Sequence, residues 1–199
     1  MTKLHEERLD RVVEVLKATG ARRILDLGCG SGLLLYRLVA EPQFGQVVGM
    51  EKSATCLAHA RFSLSQYLNT TDPKLKLMHA SYTEKNSQLI GYDAAAMVET
   101  IEHVEPHALS SVELAVFGQY RPTFLFMTTP NREFNPLLGL GPEEFREIDH
   151  KFEWCRTKFR QWASGVARRN HYRVRFGGIG EYHPDYGQPT QTALFTCQS

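Results

Sequence analysis

Glu99, Glu102 and His103 directly follow an apolar run, Ala94-Ala95-Ala96-Met97-Val98. The run predicts a buried parallel strand, and the polar residues after it predict a loop opening a helix. A helix beginning at Glu99 would set Glu99, Glu102 and His103 at i, i+3 and i+4, on one face. Two carboxylates and an imidazole converging at a strand end can hold a divalent cation. The same residues also suit a solvated helix start, because acids are favoured in a first turn. The cluster alone leaves both readings open. A second group, Asp26-Leu27-Gly28-Cys29-Gly30-Ser31-Gly32, joins a short apolar run, Arg23–Leu27, to the helical pattern Leu33–Val39. Strand, glycine turn and helix form a nucleotide-cofactor arrangement, in which glycines let the backbone turn tightly and approach a ligand. The next strand, Gln46–Met50, ends in Glu51, an acid placed to accept hydrogen bonds from the ribose hydroxyls of an adenosine-containing cofactor.

These groups need a scaffold, and the remaining pattern supplies one. Residues 3–18 carry Leu9, Val12, Val13 and Leu16 at helical spacing and stop near Gly20. Ser53 can cap a helix reaching about Leu68, and Asn69–Pro73 is a turn cluster. Leu75–Met78 is a third strand, ending near Ser81. Tyr92–Val98 is a fourth strand, a helix follows from about Pro106 to Phe117, and Pro122–Met127 is a fifth strand. A helix at about 156–169 precedes two late strands, Tyr172–Phe176 and Gln191–Cys197. The alternation predicts an α/β fold, doubly wound and mostly parallel, with a late antiparallel strand. Ligands of such sheets sit beyond the carboxyl ends of the strands, where the glycine loop, Glu51, Ser81, Glu99 and Thr129-Pro130-Asn131 all fall. Residues 128–150 form a connection long enough to suggest function.

Length and composition suit one domain over residues 1–199, without repeats or low-complexity tracts. No apolar run approaches a membrane span, and the start does not read as a signal peptide. Cys29, Cys56, Cys155 and Cys197 lack metal-type spacing, which points to free thiols and a cytoplasmic setting. The net charge of +1 hides an asymmetry: residues 151–175 hold eight basic residues against Glu153. Such a segment suits an anionic partner or a solvated helix face. His107 reads as a surface or outer residue, Trp154 and Trp162 as packing, and Cys29 as a small buried residue.

The glycine loop resembles the S-adenosylmethionine loop of class I methyltransferases. Glu99-Thr100-Ile101-Glu102-His103, Thr129-Pro130-Asn131-Arg132-Glu133-Phe134-Asn135 and Asp149-His150-Lys151-Phe152-Glu153-Trp154 together resemble the 3′-terminal RNA ribose 2′-O-methyltransferases. That family includes the small-RNA methyltransferases of plants and animals and bacterial RNA-repair relatives. The resemblance runs from about residue 20 onward. It implies that Glu99, Glu102, His103 and His150 are catalytic and bind one divalent metal, Mg²⁺ or Mn²⁺. The mixed imidazole and carboxylate set favours Mn²⁺. It implies S-adenosylmethionine at Asp26, Gly28, Cys29, Gly30, Gly32, Glu51, Lys52, Ser81 and Val98. Thr129, Asn131 and Arg132, with arginines from 156–175, would meet an RNA 3′ end. For a bacterial repair member it further implies a polynucleotide kinase-phosphatase and ligase as partners. Bacterial relatives usually carry an additional amino-terminal domain, so the chain is expected to be either an excised methyltransferase domain or a stand-alone enzyme. Two other functions fit the residues less well: methylation of a small diol such as a catechol, and cofactor binding without catalysis.

Overall fold

Seven strands make one sheet: β1 (Arg23–Leu27), β2 (Gln46–Glu51), β3 (Leu75–His79), β4 (Ala94–Val98), β5 (Phe124–Pro130), β6 (Tyr172–Ile179) and β7 (Thr190–Cys197). This computed structural model describes residues 2–71 and 73–198, so Asp72 of the predicted turn lies outside the description. The strand order is β3-β2-β1-β4-β5-β7-β6. Pairs among β1 to β5 are parallel, and β7 inserts antiparallel between β5 and β6. This is the predicted doubly wound arrangement with its one reversed strand. Helices α1 (Lys3–Ala18), α2 (Leu33–Ala40), α3 (Ala54–Ser63), α4 (Ser65–Leu68), α5 (Leu109–Val112) and α6 (Arg156–Arg169) complete it. No described helix is long and apolar enough to cross a membrane.

The alternation of side chains along the strands divides the core. Ile24, Val47, Ala94, Ala96 and Phe126 pack with Leu9, Val12 and Leu16 of α1 and Leu34, Leu35 and Leu38 of α2. Leu25, Leu27, Ala95, Leu125 and Phe195 face the other way, against Val112, Phe117, Phe159 and Val166. Burying each such leucine contributes roughly 1.5–3 kcal/mol before the entropy of ordering it. Ala94, Ala95 and Ala96 are buried on both faces of the central strand. Their small side chains let both helical layers approach it.

β4 starts at Ala94 and β5 runs from Phe124 to Pro130, each shifted by two or three residues from the sequence pattern, and four further differences have a local reason. The helix after Ser53 is capped as predicted, with Ser53 Oγ accepting from Cys56 N at 3.3 Å, but it breaks at Leu64. Leu64 is buried against the glycine loop, where a Cβ on Gly32 would come within 2.8 Å of its Cδ1. The segment after Pro106 is a 3-10 turn, then α5, then a π-helical stretch, Glu113–Tyr120. The Tyr120 hydroxyl there donates to Glu84 O. β6 and β7 run longer than predicted because they pair with each other over eight residues. The fourth difference concerns Glu99. No helix begins at that residue. Its φ is +48°, and only a 3-10 turn, Ile101–His103, follows. The Glu99 amide instead donates to Thr128 O at 3.2 Å, which extends the β4–β5 pairing by one residue.

Candidate active site

The glycine loop is shaped by what lies beneath it. Gly28 has φ +87°, and a Cβ there would collide with the Thr100 hydroxyl. The Gly28 and Cys29 amides both donate to Met50 O, at 2.8 and 2.9 Å, which locks the loop onto β2. Glu51 follows Met50 and accepts from Gly30 N at 2.9 Å through Oε2 and from Ser53 N at 2.7 Å through Oε1. Each oxygen keeps a second lone pair for a ligand hydroxyl. Two clefts meet at Gly28, Gly30 and Glu99. One, of about 440 Å³, is lined by Glu51, Lys52, Ala80, Tyr82, His103 and Asp149. The other, of about 250 Å³, is lined by His5, Arg8, Asp26, Cys29, Ser31 and Val98. Asp26 is buried with Oδ2 unpartnered, and burial first, then Glu51, pushes its pKa up to about 7. Such a carboxyl is ready for a cationic partner. A larger cleft, about 860 Å³, lies near the amino ends of β1 and β2, beside Arg23, Gln46 and Arg61, and takes no part in this grouping.

At the far edge of the first cleft, Glu102, His103 and His150 offer donor atoms all within 4.8 Å of one another. Each member is oriented by a neighbour. Thr129 Oγ1 donates to Glu102 Oε2 at 2.9 Å, while Glu102 Oε1 is buried without a partner. His103 Nδ1 meets Asp149 Oδ2 at 3.0 Å, and His150 Nδ1 meets Glu153 Oε1 at 2.6 Å. With Nδ1–H given to a carboxylate, each imidazole has its Nε2 lone pair free, the usual arrangement behind a metal-binding histidine. Burial lowers the pKa of His103, which favours the neutral ring. Burial, then Glu99, raises the pKa of Glu102 well above the carboxylate range. A divalent cation would relieve that strain by taking the place of the proton. The donor set and the orphaned Oε1 therefore fit a metal.

A buried network supports His150 from behind. Glu153 also accepts from Asn135 Nδ2 at 2.6 Å and from the Arg146 amide at 2.7 Å. Burial pushes its carboxyl up, but these bonds and His150 outweigh burial and hold it low. Phe152 stacks on Trp154, and Trp162 packs against Trp154 at a tilt, all three as packing residues.

Several residues singled out in sequence stand elsewhere. Glu99 is not in the cluster. Its Oε2 pairs with Arg8 Nη2 at 3.2 Å, and its Oε1 accepts from Thr128 Oγ1 at 2.8 Å. Asn131 is fully buried, and its Nδ2 donates to Tyr186 O and Gln188 O, at 2.8 and 2.9 Å. It ties the β6–β7 hairpin to β5 and has no donor left for RNA. Arg132 lies over Phe145 and donates to Pro142 O. The Ser81 hydroxyl pairs with Thr83. Gly32 closes the loop, its amide donating to Cys29 O at 3.0 Å. His107 is exposed. The basic segment is divided: Arg156 pairs with Glu133 at the site end of α6, and Arg169 pairs with Glu113 at the other end. Arg173 is paired in register with Thr196, which faces Phe124, at the opposite end of the sheet from Thr129. Sequence reasoning missed Arg8, although it shares the i, i+4, i+8 stripe with Val12 and Leu16 on the buried face of α1. It also missed the carboxylates of Asp149 and Glu153 behind the histidines.

A methyltransferase-domain family model matches residues 24–116. The methyltransferase domain of a bacterial Hen1 (CtHen1-CN), known from its crystal structure, aligns at 35% identity with a TM-score of 0.86, covering 98% of this chain and 100% of that one. The chain belongs to the Hen1 methyltransferase family. The small RNA 2′-O-methyltransferase of Mus musculus, another relative, is 34% identical over 97% of this chain and 51% of its own length. The chain thus spans about half the length of the curated mammalian relatives it matches. A chain of the Pnkp1/Rnl/Hen1 RNA repair complex shares the fold, with a TM-score of 0.72 at 21% identity over 98% of this chain and 42% of that one. The family resemblance and the fold class drawn from sequence both hold.

Proposed function

We propose that this chain transfers a methyl group from S-adenosylmethionine to the 2′-hydroxyl of the 3′-terminal nucleotide of RNA, with one divalent metal, Mn²⁺ in preference to Mg²⁺. The observation that carries the reading is that a single cleft is lined by Glu51 and Lys52 as well as by Glu99 and His103. A methyl donor with its adenosine ribose at Glu51 and its ammonium at Asp26 would place the sulfonium near the metal cluster. A bound ion would supply Lewis acidity toward vicinal hydroxyls and lower the pKa of the 2′-hydroxyl. Every other part is played by the protein. Thr129 orients Glu102, Asp149 orients His103, and Glu153 orients His150. Positioning of the acceptor oxygen in line with the methyl carbon is the main catalytic contribution. Both imidazoles would have their two nitrogens committed, so the hydroxyl proton passes to solvent. A need for two free vicinal hydroxyls explains selection of a 3′ end, since an internal ribose has its 3′-oxygen esterified.

The family supports RNA over a small diol as the acceptor. RNA repair beside a kinase-phosphatase and ligase is the setting suggested by the repair complex that contains a Hen1 chain. The deciding experiment incubates labelled methyl donor with RNA bearing a free or a blocked 3′ end, and with catechol, each with and without Mn²⁺. Label is expected only in the free-ended RNA with metal present. Label in catechol alone would overturn the reading.

A further inference from the structure

Arg8 and Glu99 are the one described ion pair that joins α1 to the site. Arg8 is 9% exposed, donates to Thr190 Oγ1 at 3.2 Å from the same Nη2 that is ion-paired with Glu99, and leaves its Nε buried without a partner. It also lines the smaller cleft beside Asp26 and the glycine loop. Glu99 borders both clefts, and the family implies it as a fourth metal ligand, yet here Arg8 and Thr128 hold it away from Glu102, His103 and His150.

For Glu99 to turn toward a cation, Arg8 must lose its carboxylate. A buried guanidinium left unpaired is strongly unfavourable. The cost disappears if another oxyanion reaches Arg8 first, and the free Nε beside Nη2 presents the two parallel donors that an oxyanion takes best. We infer that Arg8 is a positioning residue that latches Glu99 off the metal until an oxyanion occupies the α1 side of the cleft. The oxyanion is either the carboxylate of the methyl donor or a phosphodiester of the RNA. Ligand binding then completes the metal shell, so ligand and metal bind cooperatively. The inference rests on the metal-dependent reading above and adds to it an order of events.

The coupling is read without turnover, by calorimetric titration of Mn²⁺ into the protein alone, with S-adenosylhomocysteine, and with a uridine dinucleotide ending in a 3′-hydroxyl. The first ligand carries a carboxylate and no phosphate, the second a phosphodiester and no carboxylate. One of the two is expected to tighten Mn²⁺ binding about tenfold, and Mn²⁺ must tighten that ligand by the same factor. Arg8→Met should bind Mn²⁺ more tightly than wild type without any ligand, and lose the coupling. Glu99→Gln should bind Mn²⁺ weakly throughout and also lack coupling. Equal Mn²⁺ affinity in wild type with and without both ligands overturns the latch, and that comparison decides alone if Arg8→Met fails to fold. An Arg8→Met protein that binds Mn²⁺ more weakly than wild type overturns it too. If His150→Ala matches wild type in every titration, the cluster does not hold the metal, and the functional reading fails together with the latch.

Discussion

Both imidazoles of the cluster give Nδ1 to a carboxylate, which makes their chemistry testable one atom at a time. His150→Ala removes a proposed ligand whose ring is buried, paired with Glu153 and packed edge-on against His103. The protein is expected to fold and to bind S-adenosylhomocysteine as wild type does, while methyl transfer to RNA collapses at any moderate Mn²⁺ concentration. Glu153→Gln keeps the shape but weakens the orienting bond, and should cost about 10–100-fold in Mn²⁺ affinity by calorimetry. Asp26 supplies a pH test. Its folded pKa of about 7 lies above the ordinary 3.8, so the folded chain holds this proton more tightly than the unfolded one. The stabilising contribution is therefore complete below about 3.8 and is lost as pH rises to about 7. An ammonium docking on Asp26 must expel the same proton. S-adenosylhomocysteine affinity should rise by up to about tenfold per pH unit towards pH ~7 and then level off. Asp26→Asn should bind more weakly with no such slope, and a slope that survives the substitution would remove Asp26 from the amino-group site.

At the scale of elements, the β6–β7 hairpin depends on Asn131 at the end of β5. Asn131→Ala strands two half-buried carbonyls, Tyr186 O and Gln188 O, and frees the Glu133 amide that Oδ1 accepts at 3.1 Å. A loss of about 2–3 kcal/mol in urea unfolding is expected, with faster proteolysis within residues 180–188. Undiminished stability would return Asn131 to the substrate surface. The case shows what sequence can and cannot give. Apolar runs ending in glycine or acid marked β1, β2 and β4, because burial on two faces leaves a continuous signal. The glycine loop was legible for the same reason: few other residues tolerate its backbone. Asn131 and Arg8 look like surface chemistry in sequence, because a polar type carries no sign of a partner 55 or 182 residues away. The positive φ of Glu99 was equally hidden. A helix start and a strand extended by one hydrogen bond use the same residues, and only pairing with Thr128 decides between them.

Across the whole molecule, the excess of basic residues in 151–175 suggested a basic face for an anionic partner or a solvated helix face, and the fold breaks the segment up. α6 runs from the site end at Arg156 to the opposite end at Arg169, and β6 carries Arg173 at that same distant end. Lys151 pairs with Glu105, and Arg156 pairs with Glu133. Arg160, lying over Phe176 in the second turn of α6, has no carboxylate partner among the described residues. Only a few of the eight charges can therefore meet phosphates near a 3′ end at Glu102. For single-stranded RNA each neutralised phosphate contributes about −0.7 to the slope of log affinity against log salt. Eight contacts would give about −6, whereas two or three give about −2. Binding of a fluorescent 3′-hydroxyl RNA across a salt series should show the shallower slope. The double substitution Arg168→Ala and Arg169→Ala should leave slope and affinity unchanged, with a small loss of stability from the Glu113 pair. Arg160→Ala should flatten the slope by nearly one contact. A slope near −6, or one that falls on removing Arg168 and Arg169, would mean that RNA wraps round to the far end of α6 and that the site is only one end of a longer track.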